Sequence, residues 1–212
     1  AAFLAAKAPE TRFPAETPGP LVDDLKIPAA RQRRFLMLVA PSAPWVFGCA
    51  ASGYAILPAL IAPIIGEQQI AFSGLLCLIA LSAGFAIQPL GKRLDKEGST
   101  RALVIGMIAV AAGMAMAMVA SATLSVAIVC VAAVVLGCGY GLVLIAGLQE
   151  IQRIAGPNDL AGLTAVFYSL TYLGFFIPMV LAVISQWTTY PWLFAAGVVI
   201  ALVLVTVLVV TL

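Results

Sequence analysis

Six long apolar runs separated by short polar gaps leave this chain few ways to fold. They cover residues 35–65, 70–90, 102–120, 124–148, 162–186 and 191–212, and none carries an ionisable acid or base except at its rim. Each is long enough to cross roughly 30 Å of hydrocarbon as a helix. An ionised side chain at mid-membrane costs on the order of 3 kcal/mol or more, so the missing charge is what lipid demands. Hydrophobic residues make up 63% of the chain and charged residues 9%, which excludes a water-soluble globular domain. The expected fold class is an all-α membrane protein with six transmembrane helices.

The few charges sort by side. Lys7, Arg12, Lys26, Arg31, Arg33 and Arg34 precede the first run; Lys92, Arg93, Lys96 and Arg101 lie between the second and third; Arg153 lies between the fourth and fifth. The alternate gaps, 66–69, 121–123 and 188–190, hold no lysine or arginine. The positive-inside rule therefore places the basic segments in the cytoplasm, and an even number of crossings returns the C-terminal end there. The net charge of +2 follows from topology and gives no reason to expect a nucleic-acid partner. The implied partner is the lipid bilayer, and the expected location is a bacterial plasma membrane, crossed several times.

Residues 7–34 are rich in proline, mixed in charge and without an apolar period, the composition of a flexible cytoplasmic linker. Ala1, Ala2, Phe3, Leu4, Ala5 and Ala6 before them are apolar and read as the tail of a preceding helix. The expected division is 1–34, helix end and linker, and 35–212, a six-helix bundle.

Between the second and third runs lies Gly91-Lys92-Arg93-Leu94-Asp95-Lys96-Glu97-Gly98-Ser99-Thr100-Arg101. The two glycines allow a tight reversal, Asp95 is placed to accept hydrogen bonds from helix N-terminal amides, and Arg101 to pair with an acid. A solvated basic hairpin that serves topology alone is the other reading. The stretch resembles the loop following the second span of each half in major facilitator superfamily transporters. In that pattern a glycine, three residues, an acid, a base, any residue and a second glycine precede basic residues. Gly91, Asp95, Lys96, Gly98 and Arg101 fit, and Thr100 stands where the family usually has a base. The resemblance implies half of a twelve-helix fold with inverted three-helix repeats. With a linker ahead of the first run, it implies the C-terminal half, whose partner would be the N-terminal six-helix half of the same transporter. The implied activity is secondary transport of a small molecule by alternating access, with the loop as a cytoplasmic latch.

The runs differ in polarity. The third and sixth are almost purely aliphatic and are expected to face lipid, whereas the first, second, fourth and fifth carry the prolines, glycines, hydroxyls and aromatics. The resemblance agrees, since the family's third and sixth helices lie outermost and the first and fourth line the cavity. Trp45, Cys49 and Ser52 share a face of the first run, which Pro41, Pro44, Pro58 and Pro63 mark as a candidate gating helix. On the fifth, Thr164, Tyr168, Thr171, Tyr172, Phe175 and Met179 form a helical stripe. Trp45, Cys49, Ser52, Tyr140, Tyr168, Tyr172 and Phe175 are the candidate substrate-cavity residues; helix packing, with tyrosine hydroxyls bonded across the bundle, is the alternative. Gly137, Gly139 and Gly141 on the fourth run read first as helix contact and second as a ligand's approach to the backbone.

There is no histidine, the four cysteines are scattered singly, and no phosphate-binding glycine loop is present. Neither catalysis, a metal nor a cofactor is expected. Lipophilic drug or metabolite efflux is the expected function. Sugar or organic-acid uptake, through Gln88, Gln149 and the tyrosines, and a non-transporting scaffold subunit are the alternatives. Proton coupling would use the other half or an edge group such as Glu150.

Overall fold

The computed structural model describes residues 27–94, 99–156 and 159–211, and no strand occurs among them. Five helical stretches are long and apolar enough to cross a membrane: Phe35–Leu94, Arg101–Thr123, Val126–Ile154, Leu160–Ile184 and Tyr190–Val210. Their composition is that of a multi-pass integral membrane protein.

The first stretch runs 60 residues. Straight, it would extend about 90 Å, three times the hydrocarbon thickness. Instead it turns at Gly66, whose φ of 64° lies where L side chains are strained. Beyond the turn, helix α3 (Gln69–Leu94) packs back against the turn Ser52–Ile56 of the first arm. The first arm holds α1 (Ala40–Ala51) and α2 (Leu57–Ile65), each preceded by a π turn, Phe35–Val39 and Ser52–Ile56. Both wide turns sit just upstream of proline, at Pro41 and Pro58, where a proline ring would crowd the carbonyl four residues back. The Ser42 and Ser52 hydroxyls donate to the carbonyls of Leu38 and Gly48 at 2.7 and 2.8 Å.

Five further helices follow: α4 (Arg101–Thr123), α5 (Val126–Ile154), then α6 (Leu160–Leu173) and α7 (Ile177–Ile184) joined by a 3₁₀ turn at Gly174–Phe176, and α8 (Tyr190–Val210). Helix α5 is the hub, touching α1, α3 and α4, while α8 lies against α4, and α6 lies against α1. Glycines set these approaches. A Cβ on Gly137 or Gly141 would fall on the carbonyl oxygens of Ala80 and Gly84 in α3, and one on Gly139 would stand 3.0 Å from the Val110 amide in α4. Gly106 and Gly113 answer from α4, at 3.0 and 3.1 Å from the amides of Val143 and Leu136. The glycine alternation on α5 thus serves two helix contacts on opposite sides.

Two expectations are corrected. The third run does not lie outermost: α4 is held between α5 and α8, with Ala102, Gly106, Met107, Val110, Gly113 and Met114 among its buried residues. Of these two runs it is the sixth, as α8, that is turned largely outward, burying Leu193, Phe194, Ala201 and Leu208. Gly91, read as a reversal glycine, lies inside α3, buried, where a side chain would strike Ile145. Packing also begins earlier than residue 35, since Ala29 is buried and Ile27 fills the space beside Gly162. Of the helix end and linker expected over 1–34, residues 1–26 lie outside the described residues.

Candidate functional site

The aromatic residues converge on one side chain. Phe47 of α1 stacks on Phe175, Tyr172 and Tyr140, with ring centroids 4.5, 5.4 and 6.0 Å away, and Tyr168 extends the group to Tyr172 at 6.4 Å. Three elements must meet for this to form. Helix α1 crosses the fifth run where Gly48 faces Gly174, and a Cβ on Gly174 would fall on the Pro44 carbonyl, so only glycine lets the backbones close. The 3₁₀ turn starting at Gly174 then aims Phe175 beside Tyr172 rather than a full helical step away.

This arrangement joins four of the candidate cavity residues, Tyr140, Tyr168, Tyr172 and Phe175, into one apolar wall. Tyr172 and Phe175 are about half exposed, at 54% and 45%. The hydroxyls of Tyr140, Tyr168 and Tyr172 bond no other described residue. They are therefore left to water or a ligand. The Thr164 and Thr171 hydroxyls, by contrast, are spent on carbonyls of their own helix, Leu160 and Tyr168, at 2.7 and 2.8 Å.

Trp45, Cys49 and Ser52 do share a face, and that face points into the bundle. All three are buried, and the Cys49 thiol lies 3.5 Å from the Leu136 carbonyl of α5. None of the three is among the stacked rings of the aromatic wall. Phe47, on the opposite face of the same helix, is the residue the sequence reading passed over. A lone phenylalanine in an apolar run carries no pattern of its own.

A second cluster closes the other end of α5. Glu150, 1% exposed, accepts from Arg34 Nε at 2.8 Å, Arg34 Nη2 at 3.2 Å and Arg153 Nη1 at 2.6 Å. The same Arg153 nitrogen donates to the Ser99 carbonyl at 2.9 Å. One carboxylate thereby ties the start of the first arm and the end of α5 to the segment ahead of α4. Of the loop residues, Asp95, Lys96 and Gly98 lie outside the described residues. Arg101 opens α4, its amide donating to Ser99 Oγ at 3.2 Å, and its side chain makes no ion pair with a described residue. The acid–base pairing anticipated at Arg101 is found instead at Arg34 and Arg153. Near this cluster the Gln149 Oε1 is buried without a hydrogen-bond partner.

Among the described residues no group of histidine, cysteine, aspartate or glutamate side chains is placed to hold a metal, and all four cysteines are free. No protein-family model, curated protein or solved structure matches the chain.

Proposed function

We propose that the chain is the C-terminal six-helix half of a major facilitator-type secondary transporter, which moves a lipophilic drug or metabolite out of the cell by alternating access. The observation that carries this reading is the aromatic wall: Phe47, Tyr140, Tyr172 and Phe175 come from the first, fourth and fifth runs and leave a half-exposed ring surface. A flat apolar solute would stack on it, and an N-terminal half would close the cavity from the opposite side.

The six-span count reads the 60-residue stretch as two crossings joined at Gly66. The packing supports an inverted repeat. Exchanging α1 with α5, α3 with α6 and α4 with α8 turns the α3–α5 contact into the α6–α1 contact and maps the α1–α5 and α4–α8 contacts onto themselves. The unpartnered tyrosine hydroxyls and Gln149 Oε1 favour one second reading, a neutral hydroxylated solute such as a sugar.

Liposomes carrying this chain together with its N-terminal half test the proposal. A fluorescent planar solute should move faster with a proton gradient than without, and Phe47→Ala should lower that flux roughly tenfold at matched protein, from the loss of about 1.5 kcal/mol of ring stacking. The chain alone should not transport. Equal flux with and without protein would reject transport in favour of a scaffold.

A further inference from the structure

Where the repeat exchange fails, the structure holds a cavity. The extensive α4–α5 contact should have its counterpart between α8 and the first arm, but α8 meets that arm only thinly, at Phe35–Val39. A cavity of about 470 Å³ fills the gap, lined by Arg33, Arg34, Met37, Leu38, Thr100 and the α8 end at Val210 and Thr211. Its lining is of two kinds: guanidiniums and hydroxyls, and the apolar side chains of Met37, Leu38 and Val210.

Three features of the polar lining select an anion. Arg33 has no partner among the described residues, while Arg34, Arg153 and Glu150 already form their own cluster. Thr100 is 1% exposed, and its Oγ1 has no hydrogen-bond partner. A buried hydroxyl in that state costs stability unless something in the cavity bonds it. Thr100 is also the residue before the first turn of α4, and its side chain caps none of that turn's amides, so the positive end of a 23-residue helix faces the same cavity.

We propose that this cavity binds the phosphate of an anionic phospholipid, held by Arg33, Thr100 Oγ1 and the α4 N-terminus, with the lipid's apolar part along Met37 and Val210. Phosphate is the shared chemistry of a lipid headgroup and a free ion. The apolar part of the lining, at the ends of membrane-length helices, favours the lipid. The inference rests on membrane placement alone and survives if transport fails.

The test uses the whole chain in nanodiscs of phosphatidylglycerol and phosphatidylethanolamine, with bound lipid counted by native mass spectrometry after detergent release. Wild type should retain one phosphatidylglycerol in preference to phosphatidylethanolamine. Arg33→Gln and Thr100→Val should each weaken retention roughly tenfold, the worth of one charge-assisted hydrogen bond, whereas Arg33→Lys and Thr100→Ser should retain it. Arg33 is exposed, so its replacement leaves the fold intact. Arg34 is left unchanged because its loss would strand buried Glu150. Inorganic phosphate at millimolar concentration is the second arm. Thermal stabilisation by phosphate without lipid retention would reject the lipid as the source. Equal retention of phosphatidylglycerol by wild type, Arg33→Gln and Thr100→Val would reject the site.

Discussion

Glu150 shows how much one side chain can join. It is buried at the end of α5 and receives hydrogen bonds from guanidiniums 116 residues before it and 3 residues after it. Glu150→Gln would turn an amide N–H₂ toward donors and remove the carboxylate charge that Arg34 and Arg153 share. A fully buried pair broken this way loses roughly 3–5 kcal/mol. Arg34 and Arg153 keep 42% and 26% exposure and can recover water. The expected loss is therefore about 2 kcal/mol, read as a lowered thermal midpoint in detergent. Arg101→Gln, which removes no ion pair to a described residue, should shift the midpoint by less than about 0.5 kcal/mol equivalent. Equal midpoints for both variants would remove the cluster from the stability of the bundle. At this scale the sequence was only partly legible. Glu150 stood out as an edge carboxylate, but its pairing with Arg34 depends on which helices meet. Phe47 was invisible for the same reason, since its three ring partners lie 93 or more residues away by number, on other helices.

Helices α3, α4 and α5 are held by backbone-to-backbone approach. Gly141→Ala would drive a methyl into the Gly84 carbonyl, and neither partner is a flexible side-chain end that can give way. The expected cost is about 1–3 kcal/mol. Gly74→Ala on α3 has nothing within 4 Å of the new methyl and should stabilise by about 0.5–1 kcal/mol through helix propensity. Urea or thermal melts of the pair should therefore move in opposite directions; destabilisation by both would mean that the glycines act through flexibility. The α5 glycine pattern was legible as close packing because glycine at alternate positions has few other uses in a membrane-spanning helix. The burial of α4 was not. An aliphatic surface suits lipid and a neighbouring helix equally, since the bilayer offers no solvent contrast to tell them apart.

For the molecule as a whole, apolar run length carried most of the architecture, because hydrocarbon allows only helices of a given length and penalises charge within them. The five spanning stretches fall where the six runs were read, with the first two runs continuous in helix except at Gly66. Helix α3 rises about 39 Å over its 26 residues, so Gln68 before it and Ser99 after it sit at opposite ends of the bundle. Cysteines placed at these two positions, in protein lacking Cys49, Cys77, Cys130 and Cys138, should react with impermeant thiol reagents from opposite sides, Ser99 from the cytoplasm. Labelling of both from one side would overturn the orientation.

The two π turns of the first arm also decide where this molecule tolerates a change in length. Removing one residue from a regular helix rotates everything beyond it by about 100° and turns a buried face outward. A π turn already holds one residue more than an α turn needs, as the Leu57 amide shows by reaching back to Ser52 rather than Gly53. Loss of the exposed Ala55 would let that turn relax to ordinary helical winding. Cys49 before it and Ile61 after it would then keep their facings, whereas the same deletion at Val135 would swing half of α5 away from both of its glycine contacts.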